Sequence, residues 1–192
     1  MDIAKFLRFC FLNLGFHKIN PKIYIPKIES EINLGVPKSK IFEKLSQDTE
    51  EQEELAFLIN SLTSKAKKLQ NKKLNTFLIV LVSLNLLIFL ITLSLQSLFW
   101  LMLIIFLIVQ LRKFRARAYF FVMVYGVLFI VLIIIGAGEM IEETIDHLIV
   151  FIMVSYFLLM VLLARKIKSD LYPNYTYLGP RLDENGKYIF TD

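Results

Sequence analysis

From Asn75 to Leu111 the chain runs 37 residues without Asp, Glu, Lys, Arg or His. As one helix rising ~1.5 Å per residue this stretch would be about 55 Å long, nearly twice the ~30 Å hydrocarbon core of a bilayer. It is therefore expected to fold back on itself. Charge is missing again from Ala118 to Gly138 and from Leu148 to Ala164, each long enough to span. Cysteine is nearly absent: Cys10 alone excludes an intramolecular disulfide and any thiolate metal site. It reads as a small apolar residue on an N-terminal helix, with acylation as the alternative. Seven Gly against 17 Phe leave little scope for close backbone packing. A cleavable signal sequence is not expected, because Phe9 to Phe16 is short, contains Asn13 and runs into His17-Lys18-Ile19-Asn20-Pro21 with no small-residue cleavage site.

What the chain has is apolar bulk: 56% hydrophobic residues, 14% aromatic, and a mean hydropathy of +0.60, concentrated in blocks rather than dispersed by period. The net charge of +5 lies beside those blocks. It reads as a topology determinant and a contact for anionic lipid, not as a nucleic-acid surface. Lys65, Lys67, Lys68, Lys72 and Lys73 precede the first run. Arg112, Lys113, Arg115 and Arg117 lie between the second and third, and Arg165, Lys166 and Lys168 follow the last. The two remaining connections, Ser94 to Ser97 and Glu139 to His147, hold no Lys or Arg. Twelve basic residues against none predict both termini in the cytoplasm and four membrane segments, at about 76–93, 98–111, 118–138 and 148–164. The second is short for a span. A re-entrant hairpin over 75–111 is the alternative, although a turn in water satisfies its backbone groups more easily.

Outside the membrane domain (75–164), residues 1–18 read as an interfacial amphipathic helix carrying Ile3, Phe6, Leu7, Cys10, Phe11 and Leu14 on one face. Residues 19–74 read as a cytoplasmic helical region. Pro21, Pro26 and Pro37 punctuate it, with short helices over Pro26 to Leu34 and after Pro37, the latter carrying Ile41, Phe42 and Leu45. A longer helix is expected from a Thr49–Gln52 capping box, with Leu55, Ile59, Leu62, Ala66 and Leu69 at coiled-coil spacing. Two heptads are few, and packing on the preceding short helices is the simpler use of that face. Residues 165–192 read as a cytoplasmic tail. In it Asn185-Gly186 predicts a two-residue hairpin turn pairing Glu184 with Lys187 and Leu182 with Ile189. Its aromatic residues, Tyr172, Tyr175, Tyr177, Tyr188 and Phe190, must lie on the protein's own helices, the membrane or a partner, since an isolated hairpin is marginal in water.

Chemistry-bearing groups are few. Glu139, Glu142, Glu143 and Asp146, at i, i+3, i+4 and i+7 with His147 beside them, form the one constellation of a kind that binds a divalent cation. Without a second cluster they read instead as a solvated first helix turn, and no metal site is assigned. Within the spans lie Ser83, Asn85, Thr92, Gln110, Tyr125, Gly126, Ser155 and Tyr156. Asn85, near mid-bilayer, reads as an interhelical hydrogen bonder. No Asp, Glu, Lys, Arg or His lies in a span, which removes the usual equipment of ion-coupled transport. No paired acids, His cluster or activated Ser supply a hydrolase, and no cofactor or catalytic residue is expected. The fold expected is an all-α polytopic membrane protein: a four-segment transmembrane helical bundle with cytoplasmic amphipathic helices and a short C-terminal β-hairpin. The Ile-, Lys- and Asn-rich composition favours a bacterial inner membrane. The function expected is interaction with another membrane component, as an accessory subunit, assembly factor or immunity-type protein, or in a homo-oligomer. The alternative is an oligomeric channel or carrier for a small solute or cation.

Overall fold

The computed structural model describes residues 19–92, 95–140, 144–176 and 180–190, apart from the side chains at 88–92, 95–97, 99, 138–140 and 144–146. The expected helix over 1–18, with Cys10, lies outside these residues. The described chain is helical: α1 Pro21–Asn33, α2 Lys38–Ser46, α3 Gln52–Asn60, α4 Lys65–Gln70, α5 Lys72–Thr92, α6 Leu95–Arg112, α7 Ala116–Met140 and α8 Thr144–Leu171. No strand is found among the described residues; the tail holds two isolated bridges, Tyr175 with Pro180 and Leu182 with Tyr188.

The chain divides into two compact units that do not follow sequence order. One joins the described residues up to Lys67 with those from Tyr172 onward, and the other is Lys68–Leu171. In the first, Ile19, Ile28, Ile41, Leu45, Leu55, Ile59 and Leu62 form the core, with Tyr24, Ile25, Phe42 and Phe190 packed against it. Helix α1 starts earlier than expected. Asn20 caps it by accepting from the Lys22 N–H, and Pro21 occupies the first turn, where a missing N–H costs nothing. The helix then runs through Pro26 instead of beginning there. Burial of Ile28, and packing of Tyr24 and Ile25 on the core, offset the backbone bond that Pro26 cannot make.

The long helix expected from Thr49 is broken. Thr49 Oγ1 accepts from the Glu51 N–H (3.2 Å), one residue short of the helix, so no capping box forms. Helix α3 stops at Asn60, because Ser61 to Ser64 give the backbone other partners. Ser61 Oγ donates to the Leu58 carbonyl (2.7 Å), and Ser64 Oγ accepts from the Lys67 N–H (3.3 Å). The buried Lys38 ammonium donates to the Leu62 carbonyl (2.8 Å), and the Lys65 N–H is held by Asn33 Oδ1 (2.9 Å). Leu55, Ile59 and Leu62 thus enter the core, while Leu69 is exposed. The packed-helix reading describes them and the coiled coil does not.

The tail lies on this same unit. The Phe42 ring meets Tyr188 (5.3 Å between centroids) and Phe190 (5.2 Å), Phe57 meets Tyr175 (5.0 Å), and Asn60 Nδ2 donates to the Ile189 carbonyl (3.3 Å). Its turn differs from expectation by one residue. The Asp183 N–H donates to the Lys187 carbonyl (2.8 Å) and the Gly186 N–H to the Asp183 carbonyl (3.1 Å), closing a three-residue loop of Glu184, Asn185 and Gly186. Only Gly186 has positive φ (+76°). Asp183 decides the register: its Oδ1 accepts from both the Asn185 and Lys187 N–H groups, an Asx turn that a two-residue loop could not form. Leu182 consequently faces Tyr188, not Ile189.

In the second unit α5 packs on α6, α6 on α7, α7 on α8 and α8 on α5, a closed ring of four helices. Of the turn expected at Ser94 to Ser97, Ser94 lies outside the described residues, and residues 95–97 are already helical in α6. Its 18 residues rise about 27 Å, longer than the 14-residue segment expected. At its other end the Arg115 N–H bonds to the Gln110 carbonyl (3.1 Å) and the Phe114 N–H to Leu111 (2.9 Å), with Phe114 left-handed at φ +50°. This is a Schellman turn, and it leads into α7 within three residues. Helix α8 continues past Lys168 to Leu171 and stops before Pro173, as expected. Among the described residues two helices, Ala116–Ala137 and His147–Leu171, are by length and composition long and apolar enough to cross a membrane. Only 17% of each apolar window is buried, unlike the core helix of a soluble protein. Large apolar side chains also face outward at Phe77, Val80 and Leu84 of α5 and at Met102, Ile105 and Val109 of α6.

Candidate functional site

The inward stripe of α5 is built from Asn75, Leu78, Leu81, Val82 and Asn85, spaced three or four residues apart and all buried. The two asparagines make separate hydrogen-bonded nodes. Asn75 Nδ2 donates to the Leu111 carbonyl at the end of α6 (3.0 Å), and its Oδ1 accepts from the Tyr119 hydroxyl of α7 (2.8 Å). One amide thereby ties three helices, and it takes the second lone pair of a carbonyl that already receives the Phe114 N–H. Asn85 Nδ2 faces α8, donating to the Tyr156 hydroxyl (2.9 Å) and to the Leu81 and Val82 carbonyls of its own helix (3.2 and 3.3 Å). The Tyr156 hydroxyl in turn donates to the Leu81 carbonyl.

Beside this second node the helices meet through aromatic rings. Tyr125 and Phe129 of α7 lie 4.6 Å apart between centroids; Phe129 stacks on Phe157 of α8 at 5.1 Å and meets Trp100 of α6 at 5.4 Å. Gly126 is the point of closest approach. A Cβ built there would stand 2.6 Å from Val161 Cγ2 and 3.3 Å from the Phe157 carbonyl oxygen.

Of the residues singled out in the sequence, Asn85, Tyr125, Gly126 and Tyr156 are brought together around α8, whereas half-buried Gln110 lies at the far end of α6. The acidic constellation is not one helix face: Glu139 belongs to the last turn of α7, Asp146 and His147 to the first turn of α8, and Glu142 and Glu143 lie outside the described residues. Among the described residues no group of three His, Cys, Asp or Glu is placed to hold a metal ion.

The chain matches no family model, no curated protein and no solved structure.

The tail was the other candidate surface; its described aromatic residues are spent internally, and Tyr177 lies outside the described residues. Tyr172 and Tyr175 are buried, and Tyr188 and Phe190 cover Phe42. Partial burial, and then the charge of Glu53, push the Tyr188 phenol above its ordinary value. The Asn75–Tyr119 node was missed in the sequence because Asn75 stands at the start of the uncharged run. The signal was present in its spacing to Leu78 and Asn85.

Proposed function

We propose that the chain is a four-span membrane protein with both termini cytoplasmic, in a bacterial inner membrane. It acts by binding another membrane component and carries no catalysis of its own. The observation that carries this reading is the composite unit formed by the N-terminal helices and the C-terminal tail. A folded unit drawn from both ends of the chain cannot be divided by a bilayer, so the helices between its two parts cross an even number of times. That parity agrees with the one-sided Lys and Arg distribution. Helices that are apolar on both inward and outward faces, yet mostly unburied, suit a lipid environment. The interaction role is supported by a folded unit with its own seven-residue core and a docked tail, which membrane anchoring alone does not require, and by bundle polar groups that largely bond to one another.

Affinity purification of the full chain in mild detergent, with co-eluting proteins identified, tests it. A stoichiometric membrane partner is expected, and its loss is expected when exposed residues of the composite unit such as Ile23 and Leu34 are replaced by Glu. A channel or carrier is the second reading, favoured by the unpaired Asn85 Oδ1 and Tyr125 hydroxyl in the bundle. Solute flux in liposomes that is abolished by Asn85→Leu would establish it.

A further inference from the structure

The fold gathers the basic residues of the apolar unit at one level, around the Asn75 node. Asn75 bonds the Leu111 carbonyl and the Tyr119 hydroxyl, so the start of α5, the end of α6 and the start of α7 meet there. The end of α8 reaches the same level. Asn85 bonds Tyr156; ten residues back along α5 is Asn75, and ten residues on along α8 is Lys166. Gly126 faces Val161, and seven residues toward the node on each helix give Tyr119 and Lys168. Equal counts are equal rises, at ~1.5 Å per residue. Exposed at this level are Lys72 and Lys73 of α5, Arg112, Lys113 and Arg115 of the α6–α7 turn, and Arg165 and Lys166 of α8. The chain holds no Asp or Glu from Leu55 to Gly138, and the one acid at this end of the unit is Asp170.

The turn is the most sharply defined part of this surface. Arg112, Lys113 and Arg115 flank left-handed Phe114, and the Phe114 and Arg115 N–H groups are tied back to Leu111 and Gln110. Lys72 and Lys73 come within three residues of Asn75, whose amide holds that same Leu111. Toward the bundle the surface turns apolar at once: exposed Phe77 and Val80 follow Lys73, and exposed Phe106 and Val109 precede Arg112. A soluble anion would use only the charge. A phospholipid uses both, with its phosphate at the basic level and its acyl chains along the apolar faces. We propose that the α6–α7 turn and the start of α5 form a discrete site for the headgroup of an anionic phospholipid. Arg112 and Arg115 hold phosphate oxygens through their planar forks, and Lys72 and Lys73 supply further charge. This rests on the membrane reading above and adds to it a stoichiometric ligand, which diffuse attraction to an anionic leaflet does not provide.

Native mass spectrometry of the full chain, released from nanodiscs of mixed phosphatidylglycerol and phosphatidylcholine, tests this. One phosphatidylglycerol retained per chain is expected, preferred over phosphatidylcholine by about tenfold or more. Arg112→Gln with Arg115→Gln should remove most of that preference. Arg165→Gln with Lys166→Gln, an equal loss of charge at the same level, should leave it within about twofold. On the unaltered chain, amide exchange over residues 112–117 should be slower in phosphatidylglycerol nanodiscs than in phosphatidylcholine ones. Equal losses from the two double variants, or unchanged exchange over the turn, overturn the proposal. So does displacement of the lipid by inorganic phosphate at an ionic strength where chloride leaves it bound, which would assign the turn to a soluble anion. Entry into nanodiscs without a lipid preference removes the site alone; failure to enter nanodiscs of either lipid removes the membrane reading and the site with it.

Discussion

The tightest constraint on any single residue is at Gly126. Val161 is β-branched and stiff, and the Phe157 carbonyl belongs to a helix backbone, so neither yields readily to a new methyl group. Gly126→Ala should therefore force α7 and α8 apart and cost ~1–3 kcal/mol, read as a lower Tm in detergent. Val161→Ala in the same chain should restore most of the loss. Asn75 offers a contrast with Asn85. Asn75→Leu strips both the Leu111 carbonyl and the Tyr119 hydroxyl of a partner, so it should destabilise more than the ~0.6–2 kcal/mol of one interhelical bond. Asn85 was legible in the sequence because a lone amide amid apolar residues demands a partner. Which partner it takes was not, since Tyr156 is 71 residues away and only the pairing of α5 with α8 brings them together.

Helices followed the local signals where those were unopposed: Gly35 lies just beyond α1, Pro37 just before α2, and Pro173 beyond α8. They departed where tertiary burial outweighed a local preference, as at Pro26. That residue is exposed within α1, so Pro26→Ala should restore the bond to the Lys22 carbonyl and raise the stability of the composite unit by ~1–3 kcal/mol in a denaturant titration. In the tail, the Asn-Gly pair announced a turn, but the Asp183 carboxylate two residues earlier chose its length. Gly186→Val places a β-branched residue at φ +76° and should open the tail, exposing both it and α2–α3 to protease while α5–α8 stay resistant. Alkaline pH should act on the same contact. Because Tyr188 has a raised phenol pKa, its contribution is complete below the free phenol's value near ~10 and is lost as pH rises through the folded value. Tyr188→Phe should abolish that part of the alkaline loosening, measured by limited proteolysis.

For the molecule as a whole, the proposed topology places the basic connections on one side and the acidic one on the other. In a chain with Cys10→Ser, a cysteine at position 142 should react with an impermeant maleimide from outside, and cysteines at 70, 113 or 180 should not. Outer labelling at 113 would rule out four segments. The proposed even crossing number draws on charge counted along the sequence and on the composite unit, two independent sources. The union of the two chain ends was not legible from either end alone. Phe42 read as one apolar position on a short helix and Phe57 and Asn60 carried no signal of their own; only their contacts with Tyr188, Phe190, Tyr175 and Ile189 reveal a shared fold.

The composite unit also sets an order of synthesis. Its N-terminal helices leave the ribosome first, but the strip that covers Phe42 and Phe57 is translated last, after α5–α8. Those rings stay bare throughout production of the bundle, available to a chaperone or a protease, and are sealed only by a chain read to its end. A nascent chain that stops after Asp170 holds α5–α7 and nearly all of α8 yet leaves Phe42 and Phe57 uncovered.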